Sequence, residues 1–516
     1  MKKVTRVFYI SSIVAILFVL WGLIPADVWP NANLDTVTTA IQGYIVEKFG
    51  WFYLISATGF LGFAIYLIFS KYGNIKLGKP GEKPEYSYLT WFAMLFSAGM
   101  GIGLVFWGAA EPLSHYHTPP FGEPGSEEAA KTAVRYSFFH WGLHPWAIYA
   151  TIALALAYFK FRRQAPGLVS SILKPLFGPK IRGGWGTLVD FIVVFATIFG
   201  VATSLGFGAI QIAGGFSYVF GFDPTFTLQF VIILIVTVLY MLSAMTGLNK
   251  GIKYLSNTNI VLAIALMLFL LFTGPTTYIM NLFTTTFGSY IQNFPGMSFR
   301  MTPFNTEDSW IQDWTIFYWA WWIAWAPFVG TFIARVSKGR TIREFVLGVL
   351  LVPTIFGALW FSVFGGSALN LEHFQDAGLQ QLISEYGGTE VALFAVLEQF
   401  PLGTVMSIIA ILLISTFFIT SADSATFVLG MQTTGGSLYP PNIVKFIWGI
   451  LQSGAAAVLL WQGGLGALQT ASIIAAFPFT IIMILVVISL VKAFKEESKE
   501  LDLRKRRQKD TTTTKK

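Results

Sequence analysis

Asp313-Trp314-Thr315-Ile316-Phe317-Tyr318-Trp319-Ala320-Trp321-Trp322-Ile323-Ala324-Trp325-Ala326-Pro327-Phe328-Val329-Gly330 is an apolar run of membrane-crossing character, with a proline and a glycine set well inside it. Five apolar segments earlier, Ala98-Gly99-Met100-Gly101-Ile102-Gly103-Leu104 places three alternating glycines in the middle of a run over about 89–110. Breakers are costly in a membrane helix unless the freed backbone lines a protein-enclosed cavity, so they point to a working site. For the glycines, close packing of helices through small residues is the other reading. Because five is odd, the two segments enter from opposite sides, as the first helices of two inverted five-helix repeats do. Discontinuous helices at matching places in inverted repeats mark a secondary transporter with a central site.

The remainder of the chain carries that frame. Of 516 residues 54% are hydrophobic and only 12% charged, and the mean hydropathy is +0.63. Against about 25% charged in an ordinary soluble domain, this excludes a soluble enzyme. Apolar runs centre near residues 16, 60, 100, 148, 200, 235, 270, 323, 355, 415, 450 and 480. They are expected to be twelve transmembrane helices of an all-α polytopic membrane protein. Residues 1–6 precede an apolar run with no small-residue cleavage site, so that run reads as a retained first helix. With no Cys, thiolate metal sites are excluded, and the five His are too few and scattered for a metal cluster. One transmembrane domain covers 1–516: spans 1 and 2 over about 7–71, a first repeat over about 88–284, a second over about 310–491, and a basic cytoplasmic tail, 492–516.

The net charge of +8 is a topological signal rather than a sign of nucleic acid. If both termini are cytoplasmic, the twelve spans leave only Lys48, Lys131, Arg135 and Arg300 outside among 34 Lys and Arg. That split follows the positive-inside rule, and one helix more or fewer would scramble it.

The aromatic residues suggest the ligand. Trp321 and Trp325 share nearly one helix face, with Trp322 about 100° round, beside the proline. Trp141, His144, Pro145, Trp146 and Tyr149 form a similar group around another mid-span proline. The two sets could close a box of π-faces, or be generic aromatic core. Such a box suits a quaternary ammonium, which cannot donate hydrogen bonds and is held by ring quadrupoles. A channel is the competing class; the breakers, the repeat and the lack of a charged pore loop stand against it.

At residues 313–330, followed by Arg335 and Gly339-Arg340, the chain resembles the eighth-helix signature of the betaine/choline/carnitine transporter (BCCT) family. Gly99 to Gly103 with Glu111-Pro112, and residues 140–149, resemble its third-helix and fourth-helix motifs. Similarity spans about 5–495 and is strongest to the sodium-coupled glycine betaine transporters of Gram-positive bacteria. The resemblance implies a LeuT-like inverted 5+5 helix repeat preceded by two extra N-terminal helices, in the bacterial cell (inner or plasma) membrane. It implies no enzyme activity and no cofactor beyond sodium as coupling ion.

Residue by residue, the resemblance places a trimethylammonium in the box of Trp321, Trp322 and Trp325, with Trp141, Trp146 and Tyr149 along the neighbouring path. The substrate carboxylate would face backbone N–H groups at Gly99, Gly101 and Gly103. One sodium site would comprise Ser97, Met100, Phe417, Thr420 and Ser421. A second would use Thr197 and Phe328, although Val201 stands where another threonine is expected and Thr203 or Ser204 would have to compensate. Proton-coupled choline relatives carry an acid where Gly103 stands, so sodium is the expected ion. A choline, carnitine or proline-betaine carrier is the alternative within the family. Trimers are the family's habit, and the tail is expected to rest on anionic lipid. Of the intramembrane acids, Asp190 is expected to pair with loop arginines, and Asp423 to tune the cation site or meet Arg335.

Overall fold

The computed structural model describes residues 4–99, 101–246, 249–305 and 307–513. Its described residues are helical throughout, apart from turns and one isolated bridge between Lys76 and Thr341. The principal helices are α1 (Arg6–Gly22), α2 (Leu34–Phe69), α3 (Tyr88–Gly99), α4 (Ile102–His117), α5 (Glu127–Trp141), α6 (Leu143–Ala157) and α7 (Gly184–Phe220). They continue with α8 (Phe226–Thr246), α9 (Asn249–Thr273), α10 (Thr276–Ser298), α11 (Phe317–Val336), α12 (Ile342–Gln375), α13 (Gly403–Thr433) and α14 (Asn442–Thr513). Among the described residues, nine helical stretches are long and apolar enough to cross a membrane. The last divides at Gly463 and Gly464, where Gly464 has φ +58° and ψ −135°. With the 17-residue α1 and the α3–α4 pair, these helices take in the expected apolar centres; residue 100 itself lies outside the described residues.

Burial is inverted relative to a soluble protein. Leu234, Val238, Leu242, Val261 and Phe272 on α8 and α9 face outward, while Glu111, His115, His140, His144 and Gln211 are buried. The apolar window of Glu127–Arg162 is 94% buried against 28% for Tyr254–Thr273, so α5 and α6 form the axis of the bundle and α9 its rim. In lipid the outward apolar side chains are satisfied and the interior is free to carry polar chemistry.

The breakers act in three different ways. At the glycine stretch, α3 ends at Gly99 and α4 begins at Ile102, with Gly101 extended at φ −165° and ψ −178°. The helix is interrupted there. At Pro145 the break occurs three residues earlier: Gly142 (φ −99°, ψ −129°) separates α5 from α6. Pro145 then falls in the first turn of α6, where its missing N–H has no partner to lose. The third expectation, an interruption near Pro327, is corrected: α11 runs through Pro327 without a break. Thr331 Oγ1 donates to the Pro327 carbonyl at 2.7 Å. Gly330 lets the helix press on α6, since a Cβ there would lie 2.9 Å from Ile152 and 3.2 Å from the Ala153 nitrogen. The irregularity sits instead at the entry to α11, as a π-helical turn over Ile311–Ile316.

One helix has no counterpart among the expected spans. The sequence-based boundary at about 284 falls inside α10, which carries its own internal Pro295.

The loops show which ends lie together. At one end, Leu77 and Gly339 exchange backbone bonds with Arg340 and Leu77 at 2.8 Å, Arg162 donates to the Gly78 carbonyl at 3.0 Å, and Lys492 reaches Pro175. Here Lys338 pairs with Glu82 at 2.9 Å, and the Lys79 N–H and Lys338 hold that carboxyl below its usual range. The start of α1 joins this end, through Thr5 N–H to the Thr433 carbonyl at 3.2 Å and Gly436 beside Gly167. At the opposite end, Arg300 donates to Pro120 and Trp310 to Thr118.

Candidate substrate-binding site

Two interruptions meet the tryptophan helix in the bundle core. Because α5 stops at Trp141 and the chain turns at Gly142, His140 and Trp141 project into α11 rather than along a continuous helix. Trp141 lies edge-to-face with Trp322 at 4.8 Å and with Trp321 at 6.2 Å. Trp321 and Trp322 stack on each other at 4.6 Å with 17° between planes, and Tyr318 stacks on Trp322 at 5.8 Å. Gly103 makes this possible from α4: a Cβ there would sit 2.5 Å from Trp321 Cη2 and 3.1 Å from Trp141 Cη2. Tyr149 meets Trp322 at 6.1 Å, and Trp146 meets Tyr149 at 5.5 Å. All these side chains are buried.

Trp325 stands apart. Its Nε1 donates to the Gly200 carbonyl on α7 at 2.6 Å, its ring packs on Phe328 at 5.2 Å, and it remains half-buried. The structure therefore assembles Trp141, Trp321, Trp322 and Tyr318 as one ring cluster with Tyr149 at its edge, and turns Trp325 towards α7. A further pair lies behind the cluster, where His144 stacks on Trp319 at 4.9 Å.

The cluster is anchored by a group that sequence reasoning passed over. Glu111, wholly buried on α4, accepts at Oε2 from Trp141 Nε1 (2.7 Å) and from the Tyr318 hydroxyl (2.6 Å). Its Oε1 meets His140 Nδ1 at 2.7 Å and His115 Nε2 at 3.1 Å. The His140 carbonyl in turn accepts from Trp322 Nε1 at 2.9 Å. A local signal was present, since Glu111 and His115 are four apart on one helix; the partner 29 residues on was not legible. His140 and His144 also stand four apart, but the structure gives the two rings separate surroundings: His140 meets Glu111 and Thr315, His144 stacks on Trp319. Glu111, His115 and His140 offer ligand atoms within 4.8 Å of one another.

The residues proposed for sodium are more dispersed. Met100 lies outside the described residues, and Ser97 is half-buried on α3. On α13, Phe417 and Thr420 are buried and Ser421 is half-buried. The Thr420 hydroxyl bonds back to the Thr416 and Phe417 carbonyls at 3.0 and 3.2 Å and accepts from Asn259 Nδ2 at 3.2 Å. Thr197 donates to Val193 at 2.7 Å and lies 3.4 Å from Gln432 Oε1, while Val201 is buried and apolar. Thr203 is consumed in tying α7 to the last helix, through Leu468 and Ser472 at 2.9 and 2.8 Å; the buried Ser204 hydroxyl has no partner among the described residues.

Asp190 departs from expectation, and Asp423 does so in its charged partner. Asp190 accepts from the Ser170 N–H and hydroxyl at 3.1 and 2.7 Å, so it caps a short loop helix (Val169–Ile172) instead of pairing with arginines. Burial so near the membrane end favours two short neutral donors over a long cation. Asp423 has Lys445 as its charged neighbour rather than Arg335.

The profile of the BCCT (betaine/carnitine/choline family transporter) family matches residues 6–499. The glycine betaine transporter OpuD of Bacillus subtilis is 56% identical over 503 residues, covering 97% of this chain and 96% of that protein. A probable glycine betaine transporter of Desulfitobacterium hafniense is 46% identical, covering 96% and 98%. An ectoine/hydroxyectoine transporter of Virgibacillus pantothenticus is 44% identical, covering 96% and 97%. Among solved structures, MhsT in complex with L-phenylalanine aligns at 15% identity over 79% of this chain and 100% of that one, with a TM-score of 0.38.

Proposed function

Because the chain belongs to the betaine/carnitine/choline family of transporters, we propose that it imports glycine betaine or a related quaternary-ammonium osmolyte coupled to sodium. The observation that carries the reading is the ring cluster of Trp141, Tyr318, Trp321 and Trp322 beside the interrupted α3–α4 helix. Aromatic faces attract a methylated cation by up to about 2 kcal/mol or more each when desolvated, and they offer a primary ammonium no acceptor. The extended backbone at Gly101 leaves N–H groups unpaired by helix, a natural partner for the carboxylate of a zwitterion. Trp325, bonded to α7 and packed on Phe328, lies outside this cluster.

Sodium binds, in this reading, through Ser97, Met100, Phe417, Thr420 and Ser421, and ten of the twelve helices, those after the first two, operate as two inverted five-helix repeats that alternate access in a bacterial inner or plasma membrane, both termini cytoplasmic. Coupling sets the gradient such a carrier holds. One sodium ion moving down ~100 mV and a tenfold gradient yields roughly 3.7 kcal/mol, so two ions support on the order of 10⁵-fold accumulation of a neutral zwitterion and one ion several hundred-fold.

The test is uptake of labelled glycine betaine into proteoliposomes with sodium, potassium or protons as the only gradient. Saturable uptake that follows sodium alone is expected; equal uptake under potassium overturns the coupling, and non-saturating flux overturns the carrier. A second reading, a cyclic osmolyte without a trimethylammonium, is favoured by the 44% identical relative named for ectoine. Competition by ectoine at or below the concentration of betaine that half-saturates uptake would select it.

A further inference from the structure

Glu111 is an acid in mid-bundle with no exposed surface, and the transport reading above gives it no contact with substrate or sodium. An intramembrane carboxylate is costly unless it is fully partnered and is functional by default. Its partners here are two N–H and O–H donors and two imidazole nitrogens. Trp141 Nε1 and the Tyr318 hydroxyl occupy Oε2 at 2.7 and 2.6 Å. His140 Nδ1 and His115 Nε2 lie 2.7 and 3.1 Å from Oε1. The Thr315 hydroxyl sits 2.9 Å from His140 Nε2 and is able to donate to it, so the tautomer with the proton on Nδ1, facing Glu111, satisfies both contacts of that ring. With the indole, the phenol and both imidazoles donating, the carboxylate has no proton of its own to place and is ionised. Through the His140 carbonyl the same network reaches Trp322 Nε1 at 2.9 Å.

The donors explain why this set is no metal site despite its composition. Each imidazole nitrogen that faces Glu111 is spent on a hydrogen bond, and the second carboxylate oxygen is covered by an indole and a phenol. The remaining free imidazole nitrogen, His115 Nδ1, lies on the far side of its ring from Glu111 and is a single ligand atom.

Hydrogen bonding changes the rings themselves. An indole N–H or phenol O–H that donates to an anion passes electron density into its ring and makes the π-face more negative. The anion, held behind the rings at low dielectric, also attracts a cation in front of them without touching it. We propose that Glu111 is a positioning and specificity-determining residue, a fixed negative charge behind the Trp141, Tyr318 and Trp322 platform that selects a permanently charged ammonium over a neutral group of the same shape. The inference rests on reading those rings as the substrate platform.

The experiment compares two probes on the purified full-length protein: glycine betaine, and 3,3-dimethylbutyrate, in which carbon replaces the quaternary nitrogen. Binding is measured by calorimetry for wild type, Glu111→Gln and Tyr318→Phe, each checked for monodispersity. Wild type is expected to favour betaine by about tenfold or more. Glu111→Gln is expected to weaken betaine by about tenfold while moving the carbon isostere, whose head group is uncharged, by less than about threefold, and Tyr318→Phe to move the same ratio in the same direction by less. A variant that weakens both probes equally overturns the proposal, because loss of packing alone does not read charge. Should Glu111→Gln fail to fold, Tyr318→Phe, which keeps the carboxylate, decides by the same ratio. Stoichiometric zinc in the purified wild type would also overturn it. Failure of wild type to bind betaine sinks the functional reading; betaine preferred by wild type but equally by both variants sinks only the role of Glu111.

Discussion

Gly103 and Gly101 lie two residues apart in one motif and do different work. At Gly103 a methyl group would meet the edges of Trp321 and Trp141 at 2.5 and 3.1 Å, whereas at Gly101 nothing lies within 4 Å and the backbone is extended, a conformation open to any residue. Gly103→Ala is therefore expected to weaken betaine binding by roughly tenfold or more through displaced indoles, and Gly101→Ala to stay within about threefold. Binding isotherms of the two variants check this; equal losses would show that the substrate reads the backbone at Gly101 rather than the ring platform. Thr420 poses a sharper choice, since its hydroxyl already serves its own helix and Asn259. If it is a sodium ligand, Thr420→Ser keeps the sodium dependence of uptake, while Thr420→Val raises the half-saturating sodium concentration by about tenfold. A Thr420→Val protein with unchanged sodium dependence and lower thermal stability, by about 1–3 kcal/mol for the orphaned Asn259, would reduce Thr420 to a structural role.

At the scale of helices, glycine position rather than proline position set the breaks. The chain turns at Gly142 and not at Pro145, and α11 passes through Pro327. Proline removes one donor, and a helix tolerates that where a neighbouring hydroxyl or close-packed helix compensates, as Thr331 and the Gly330–Ile152 contact do here. Left-handed or otherwise forbidden backbone leaves no such remedy, which makes Gly464 the hinge of the last helix pair at φ +58° and ψ −135°. Gly464→Ala is expected to destabilise the protein by about 1–3 kcal/mol although open space surrounds the position. A melting temperature in detergent indistinguishable from wild type would show that the kink relaxes freely.

For the whole molecule, the end of α14 closes the same face that holds the N-terminus. Glu497 accepts from the Tyr158 hydroxyl at 2.6 Å and pairs with Arg162 at 2.5 Å, where α6 runs out in a π-helical turn. Most of the tail's basic residues, with Arg504-Lys505-Arg506-Arg507 contiguous, lie beyond this latch. Truncation after Glu500 is therefore expected to leave uptake at low osmolality within about twofold while removing any dependence on anionic lipid, and truncation after Glu496 to lower stability as well. Uptake against osmolality in liposomes with and without anionic lipid checks both; a lipid response that survives the first truncation places the lipid contact elsewhere. What the sequence determined by itself was the solvent, the apolar segments and the family, because hydropathy, charge asymmetry and a long tryptophan motif are local and additive along the chain. It also marked Trp141, Trp321 and Trp322, since their spacing puts them on definite helix faces. Only the tertiary structure decided that Trp325 turns to Gly200, that Asp190 is held by Ser170, and that Glu111 gathers Trp141, His140 and Tyr318. Those pairings join residues far apart in sequence, and which of several buried donors meets a buried acid is settled by how the helices pack, not by any pattern within one of them.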